Sequence, residues 1–281
     1  DICYDSGAYS TLSMVVLQRG IISAPGVYKC DDIKVHGTAA RTNVVPYGAY
    51  RGFGGAQVFF AIERFMDHLA EKAGLDPVDF KIANTAVQGD LTSTSGRYHF
   101  HVPIPEMTDQ VMEAADYRRK QEEYSKPQDG RYRRGIGMSL CFHGDGFTGN
   151  GERDLIKAVV RMTKDTDDKA HIFVSSTDMG QGFFTSLPKI ASRELEIPVE
   201  DIIYEMPDTH KTPDSGPTVA SRSTMVVGEL IRRASQKLKE EWVPGEEAEV
   251  YEHYTHPDFM IPFDISKFNG DAYPTFSWGV Y

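Results

Sequence analysis

The 281-residue chain is 40% hydrophobic and 25% charged, which is enough apolar mass for one large core or two modest ones and excludes a disordered or fibrous protein. A net charge of -11 and a pI ≈ 5.3 argue against a nucleic-acid backbone or an anionic membrane as the main partner. Cys3, Cys30 and Cys141 lack CxxC or CxH spacing, so neither a disulfide framework nor a cysteine-rich metal site is legible. No run of about 18 apolar residues occurs, and the opening "DICYDSGAYSTL" has no basic and apolar blocks of a secretion signal; the expected location is the cytoplasm.

Along the chain, the first informative stretch is "GAYRGFGGAQ", Gly48 to Gln57, with four glycines, two aromatics and one arginine. It runs into a helical pattern over 56–73, with Val58, Ile62, Phe65 and Leu69 on one face and Gly74 as the stop. Thr108 is the expected cap of a second helix, "DQVMEAADYRRKQEEYS". The polar "SKPQDGRYRRG", Ser125 to Gly135, suggests a boundary between a lobe at 1–130 and a lobe at 131–281. Strands are expected in "GIGMSLCF", then in "DLIKAVVRMT" and "KAHIFVSST", the last two forming a hairpin around "KDTDD". There follow a helix from about Phe184 to Glu196, a strand "DIIYEM", and a helix from about Thr224 to Glu240 whose apolar face is Val227, Leu230, Ile231, Ala234 and Leu238. The closing "AYPTFSWGVY" is aromatic and β-rich, a strand in want of a neighbour, so the chain is expected to be a piece of something longer. The mixture implies an α+β fold.

Three segments join a turn to a helix with small residues: "RGFGG", "DMGQG" (Asp178 to Gly182) and "SGPTVASRST" (Ser215 to Thr224). A helix start exposes unpaired N–H groups and partial positive charge, so three such mouths are suited to grip one large anion. The alternative is ordinary turn chemistry. A dinucleotide fingerprint is a weaker reading, because "RGFGG" gives GxGG rather than GxGxxG. The pairs His99/His101 and His253/His256 are read as surface or packing residues rather than metal ligands.

Taken in order, these pieces resemble the molybdopterin-binding part of the xanthine dehydrogenase/aldehyde oxidase family. "YRGFGGAQ" is similar to that family's FRGFGGPQ signature, "TDMGQGFFTSLPKIASRELEIP" to its TEMGQGLHTKMVQVAS stretch and "SGPTVASRST" to its SPTAAS stretch; "VQGDLT" and "YPTFSWGV" fit the same order. The resemblance implies an α+β, mixed, two-lobed molybdenum cofactor-binding fold, here incomplete. It implies cofactor contacts from Arg51, Gly52, Met179, Gly180, Gln181, Ala220, Ser221 and Ser223, with molybdenum held by dithiolene sulfurs of the pterin rather than by protein ligands. It implies a substrate sandwich with Phe53 on one face and Phe147 on the other, Thr148 as a polar neighbour, and Arg19 at the position where xanthine-oxidising members carry an arginine. The implied reaction is oxidative hydroxylation of an electron-poor ring carbon beside a nitrogen, with a purine as the first substrate.

Two family elements have no match: the earlier glycine-rich segment and the C-terminal Gly-Glu-Pro glutamate, for which the charged "PGEEAE" (Pro244 to Glu249) does not substitute. No catalytic residue is therefore expected in this chain. Activity is expected only in a larger assembly with the remaining molybdenum-subunit segments, an iron–sulfur subunit and an FAD-binding subunit. The pterin is expected with or without a nucleotide. The alternative is a non-catalytic fragment or scaffold of such a complex. Pro188 within a helix, and the glycine content of "HGDGFTGNGE", also depart from the family pattern.

Overall fold

The computed structural model describes residues 1–281. They form two compact units: residues 1–143 with 269–271 and 275–281, and residues 144–268 with 272–274. Composition puts the lobe boundary at 130/131, whereas the units divide at His143/Gly144. The reason is pairing: the strand that follows the polar 125–135 stretch bonds to the C-terminal strand of the first unit.

In the first unit β1 (Ile2–Gly7) and β2 (Gly37–Arg41) run parallel, in register from Ile2↔Gly37 to Asp5↔Ala40, with a shift of one residue before Gly7↔Arg41. A parallel pair needs a crossover, supplied by α1 (Ser13–Ser23). α2 (Gly55–Ala73) stops where expected: Gly74 takes φ 69 and its N–H returns to the Ala70 carbonyl. Its buried face is rotated from the expected one. Val58, Met66, Ala70 and the charged Glu63 are buried, while Phe65 is 55% exposed. α3 (Pro77–Ala83) starts at Asp76, whose carboxylate accepts the N–H groups of Val78 and Asp79.

The single helix expected after Thr108 is instead two, α4 (Ile104–Ala115) and α5 (Tyr117–Ser125), broken at Asp116 with φ 50. Thr108 caps neither; it lies inside α4 and its hydroxyl donates back to the Ile104 carbonyl at 2.8 Å. β3 (Leu140–Gly144) occupies only the end of the expected "GIGMSLCF" strand.

Under these elements lies a buried charge network. Lys81 Nζ reaches Asp67 at 2.7 Å, Glu63 at 3.0 Å and the Met138 carbonyl at 2.8 Å. Glu63 also accepts the Leu140 N–H and the Tyr28 hydroxyl. Burial, followed by the charge of Glu63, raises the Tyr28 hydroxyl far above its ordinary range. The network ties α2, α3 and β3 together.

In the second unit β4 (Val159–Lys164) and β5 (Ala170–Phe173) form the expected hairpin, its turn held by Asp165, which accepts the N–H groups of Asp167 and Lys169. α6 (Phe183–Leu195) follows, with Pro188 buried inside it. β6 (Ile202–Tyr204) pairs parallel to β5. α7 (Gly228–Glu240) buries Leu230, Ile231, Ala234 and Leu238, which with Val227 is the face read from the sequence. β7 (Ala248–His253) pairs antiparallel to β4 and completes the sheet order β6-β5-β4-β7. One core holds Val160, Met162 and Ile172 of the sheet against Leu187 and Ala191 of α6 and the buried face of α7. The expected strand at "DLIKAVVRMT" begins late, because Gly151–Ile156 wind into a π-helical turn.

The last strand, β8 (Phe276–Val280), belongs to the first unit and pairs with β3. The Ser139 N–H donates to the Tyr281 carbonyl at 2.9 Å and the Tyr281 N–H to the Ser139 carbonyl at 3.0 Å. The aromatic run thus has its neighbour within this chain.

Candidate functional site

The structure brings two of the three glycine-bearing segments together in the second unit. Ser175 and Ser215 exchange bonds: each backbone N–H donates to the other's hydroxyl, at 3.1 and 2.9 Å. Further on, the Thr177 N–H donates to the Thr218 hydroxyl at 2.9 Å. The chain leaving β5 therefore lies along the chain leaving Asp214, and "DMGQG" and "SGPTVAS" form one surface.

The donors of "DMGQG" are already committed. Asp178 accepts the N–H groups of Gly180 at 2.8 Å, Gly182 at 3.3 Å and Phe184 at 3.1 Å. These backbone bonds, that of Phe184 first, hold its carboxyl below the usual carboxylate range. Gln181 accepts the Met179 N–H and donates to the Thr177 carbonyl. The mouth of α6 thus holds the chain's own carboxylate, which corrects the expectation of vacant donors there. What remains open is space: Met179, Gly180 and Gln181 are exposed, and a Cβ on Gly180 or Gly182 would meet nothing within 4 Å.

"SGPTVASRST" is organised around Arg222, which is completely buried. Its guanidinium forks onto the Glu152 carboxylate, with Nη2–Oε2 at 3.1 Å, and donates to the carbonyls of Pro217 and Ser215, each at 2.7 Å. Gly216, at φ 81, leaves room for this: a Cβ there would overlap the Ile156 side chain and crowd the guanidinium. Ser221 accepts the Gly146 N–H at 2.9 Å, joining the loop to the segment that carries Phe147 and Thr148. Thr148 donates to the Tyr273 hydroxyl at 3.1 Å. Phe147 lines an apolar cavity of about 280 Å³ with Met225, Leu230, Tyr254, Met260 and Pro274. The hydroxyls of Ser176 and Ser223 are buried without a partner. Open glycines beside orphaned hydroxyls fit a polar group lying across these two loops.

The third segment lies in the first unit and its glycines divide in purpose. Gly54 (φ 91) carries a carbonyl that accepts the Tyr4 hydroxyl at 2.6 Å, and a Cβ on it would overlap the Val16 carbonyl of α1. That glycine serves packing. Gly52 (φ 89) is bare for another reason: only Ala56 lies near, at 3.4 Å. Phe53 has φ 47 and is half-buried, Arg51 is exposed and makes no ion pair, and Arg19 is buried on α1. His99 is bonded to the buried Asp271 at 2.7 Å and His101 to Glu106 at 2.9 Å.

Arg222, Glu152 and Asp178 were not among the residues singled out from the sequence. Asp178 had a signal, a carboxylate two and four residues before glycines at a helix start. Arg222 and Glu152 lie 70 positions apart and had none beyond a lone cation among small residues.

The sequence profile of the molybdopterin cofactor-binding domain matches residues 1–85 and, in a second profile of the same description, residues 110–258. The chain is 32% identical over 232 residues to a probable xanthine dehydrogenase subunit of Bacillus subtilis, covering 83% of this chain and 30% of that protein. It is 31% identical over 241 residues to the aldehyde oxidoreductase of Megalodesulfovibrio gigas, covering 85% of this chain and 26% of that one. The crystal structure of the aldehyde oxidoreductase from Desulfovibrio desulfuricans superposes with a TM-score of 0.82 at 26% identity, over 99% of this chain and 31% of that one. The chain thus spans about a third or less of the length of these relatives. No helix is long and apolar enough to cross a membrane. The two profile matches, the relatives and the shared α+β fold together show that the chain belongs to the molybdopterin-binding xanthine dehydrogenase/aldehyde oxidase family.

Proposed function

We propose that this chain is the molybdopterin-binding portion of a molybdenum hydroxylase that oxidises an N-heterocycle, a purine such as xanthine or hypoxanthine first. The observation that carries this reading is the single surface made by "DMGQG" and "SGPTVAS", bonded through Ser221 to the Phe147–Thr148 segment. Met179, Gly180, Gln181, Ala220, Ser221 and Ser223 would hold the pterin, with Gly52 giving it close approach and Arg51 offsetting its negative charge. Bound molybdopterin supplies the redox and oxygen-transfer chemistry. The chain's own residues bind, orient and exclude water. Phe53 and Phe147 each offer a ring to the planar substrate, and Thr148 offers a hydroxyl oxygen. Arg19 stabilises negative charge developing on a purine oxygen, and its burial strengthens that interaction.

In this reading the remaining molybdenum-subunit segments supply the catalytic glutamate. An iron–sulfur subunit and an FAD-binding subunit carry electrons away in the cytoplasm. The test is to isolate the native assembly, measure molybdenum and pterin, identify its component chains, and compare turnover of hypoxanthine and xanthine with that of aldehydes. Molybdenum, pterin and purine turnover are expected, and Arg19→Ala should lower purine kcat/KM about 100-fold with pterin content unchanged. An assembly without molybdenum and pterin overturns the reading; turnover of aldehydes alone overturns the purine assignment.

A further inference from the structure

The Arg222–Glu152 contact has no part in the function proposed above, yet it determines how two parts of that site meet. Glu152 belongs to the π-helical turn just after Phe147 and Thr148, and the two carbonyls held by Arg222 belong to "SGPTVAS". The Gly146 N–H to Ser221 bond makes a second tie. The segment 146–152 is therefore fastened to the 215–223 loop at both of its ends. Neither segment belongs to the sheet, so no ladder of backbone bonds sets their spacing.

A buried ion pair adds little net stability, since desolvation offsets most of the attraction. A planar guanidinium, however, fixes a carboxylate and two carbonyls in one geometry, which a lysine ammonium does not. Phe147 and Glu152 both line the apolar cavity of about 280 Å³. With the clamp loosened, the ring has somewhere to go.

We propose that Arg222 and Glu152 are positioning residues that hold the Phe147–Thr148 segment at a fixed spacing from "SGPTVAS". This rests on the reading that Phe147 faces the substrate and "SGPTVAS" faces the cofactor. Loosening the clamp then weakens substrate binding without dismantling the core of β4, β5, β7, α6 and α7.

The test uses the full chain and its native assembly, with Arg222→Lys, Glu152→Gln and the double replacement Arg222→Met with Glu152→Leu. In Arg222→Lys and Glu152→Gln, amide exchange of peptides covering 146–152 and 215–223 should both accelerate about tenfold or more, with peptides of β4, β5 and β7 unchanged. KM for the heterocycle should rise about tenfold with kcat nearly constant, the pattern of lost uniform binding. The double variant should fold and melt cooperatively somewhat below the wild type, because an apolar pair replaces the ions while the Ser215 and Pro217 carbonyls lose their donor, yet keep the raised KM. Wild-type KM in both single variants, or faster exchange confined to 215–223, overturns the proposal. So does a double variant that restores KM together with stability. If Arg222→Lys fails to fold, the double variant carries the same test. A wild-type assembly lacking pterin and turnover would defeat the functional reading alone, since the exchange experiment on the chain still decides the clamp.

Discussion

Each unit buries a cation against a carboxylate, and the two do different work. In the first unit Lys81 and Glu63 join α2, α3 and β3, elements whose own hydrogen bonds already fix their backbones. A point charge with three rotatable donors is sufficient there, and Lys81 divides them among Asp67, Glu63 and the Met138 carbonyl. In the second unit Arg222 and Glu152 join two irregular segments that have no ladder between them. A rigid fork then supplies the geometry that regular structure would otherwise supply. The lesson is that burial alone does not assign a role to an ion pair; what the pair is attached to does.

The comparison can be broken at its strongest point first. Lys81→Met leaves the Glu63 carboxylate buried without its cation and should cost about 3–5 kcal/mol, read from denaturant unfolding, while exchange in 146–152 stays as in the wild type. The glycines offer a second contrast. Gly54→Ala meets both a positive φ and the Val16 carbonyl, so it should destabilise the first unit by about 1–3 kcal/mol or more. Gly180→Ala meets a positive φ alone, should cost about 1–2 kcal/mol, and should lower pterin retention in the native assembly.

A smaller effect is expected from His171 on β5. Burial lowers its affinity for a proton, but Asp165 at 3.0 Å and Glu205 at 2.7 Å outweigh this and raise it above the usual 6.5. A raised value in the folded state means the stabilisation is complete below about 6.5 and is lost as pH rises through the folded value. His171→Asn should flatten that decline in melting temperature between pH 6 and 9, by less than about 1 kcal/mol because both carboxylates are partly exposed. The smallest effect belongs to Asp178, whose value is lowered. Its contribution is present above the ordinary carboxylate value and disappears as pH falls through the folded one. Asp178→Asn should remove that acid-side dependence and speed amide exchange at Gly180, Gly182 and Phe184.

Much of the fold was legible because its helices are long and punctuated. α2 ends at a left-handed Gly74, and α7 has an unbroken apolar stripe. Phe65 misled because Glu63 takes a buried place through Tyr28 and Lys81, turning the helix away from its most hydrophobic reading. Thr108 looked like a cap, but Pro103 and Pro105 start the helix a turn earlier, and nothing local announces the left-handed Asp116. β1, α1 and β2 were not anticipated: β2 has no fully buried residue and α1 has no side-chain cap, so neither alternation nor capping marks them. At the candidate site the glycine-rich loops and their order were readable, together with the family they resemble. The allocation of donors within them was not. It depends on Asp178 folding back on its own loop and on Arg222 meeting a carboxylate 70 positions away.

The Tyr4 hydroxyl sits against Gly54 on one side, and a methyl group added to Gly20 would come within 2.5 Å of it on the other. Arg19 is the next residue to that wedge, and Phe53 the next to its far end. A single carbon introduced at position 20 would press the Tyr4 hydroxyl toward the Gly54 carbonyl, so a change on α1 would be felt in the turn that opens α2 without altering any side chain there.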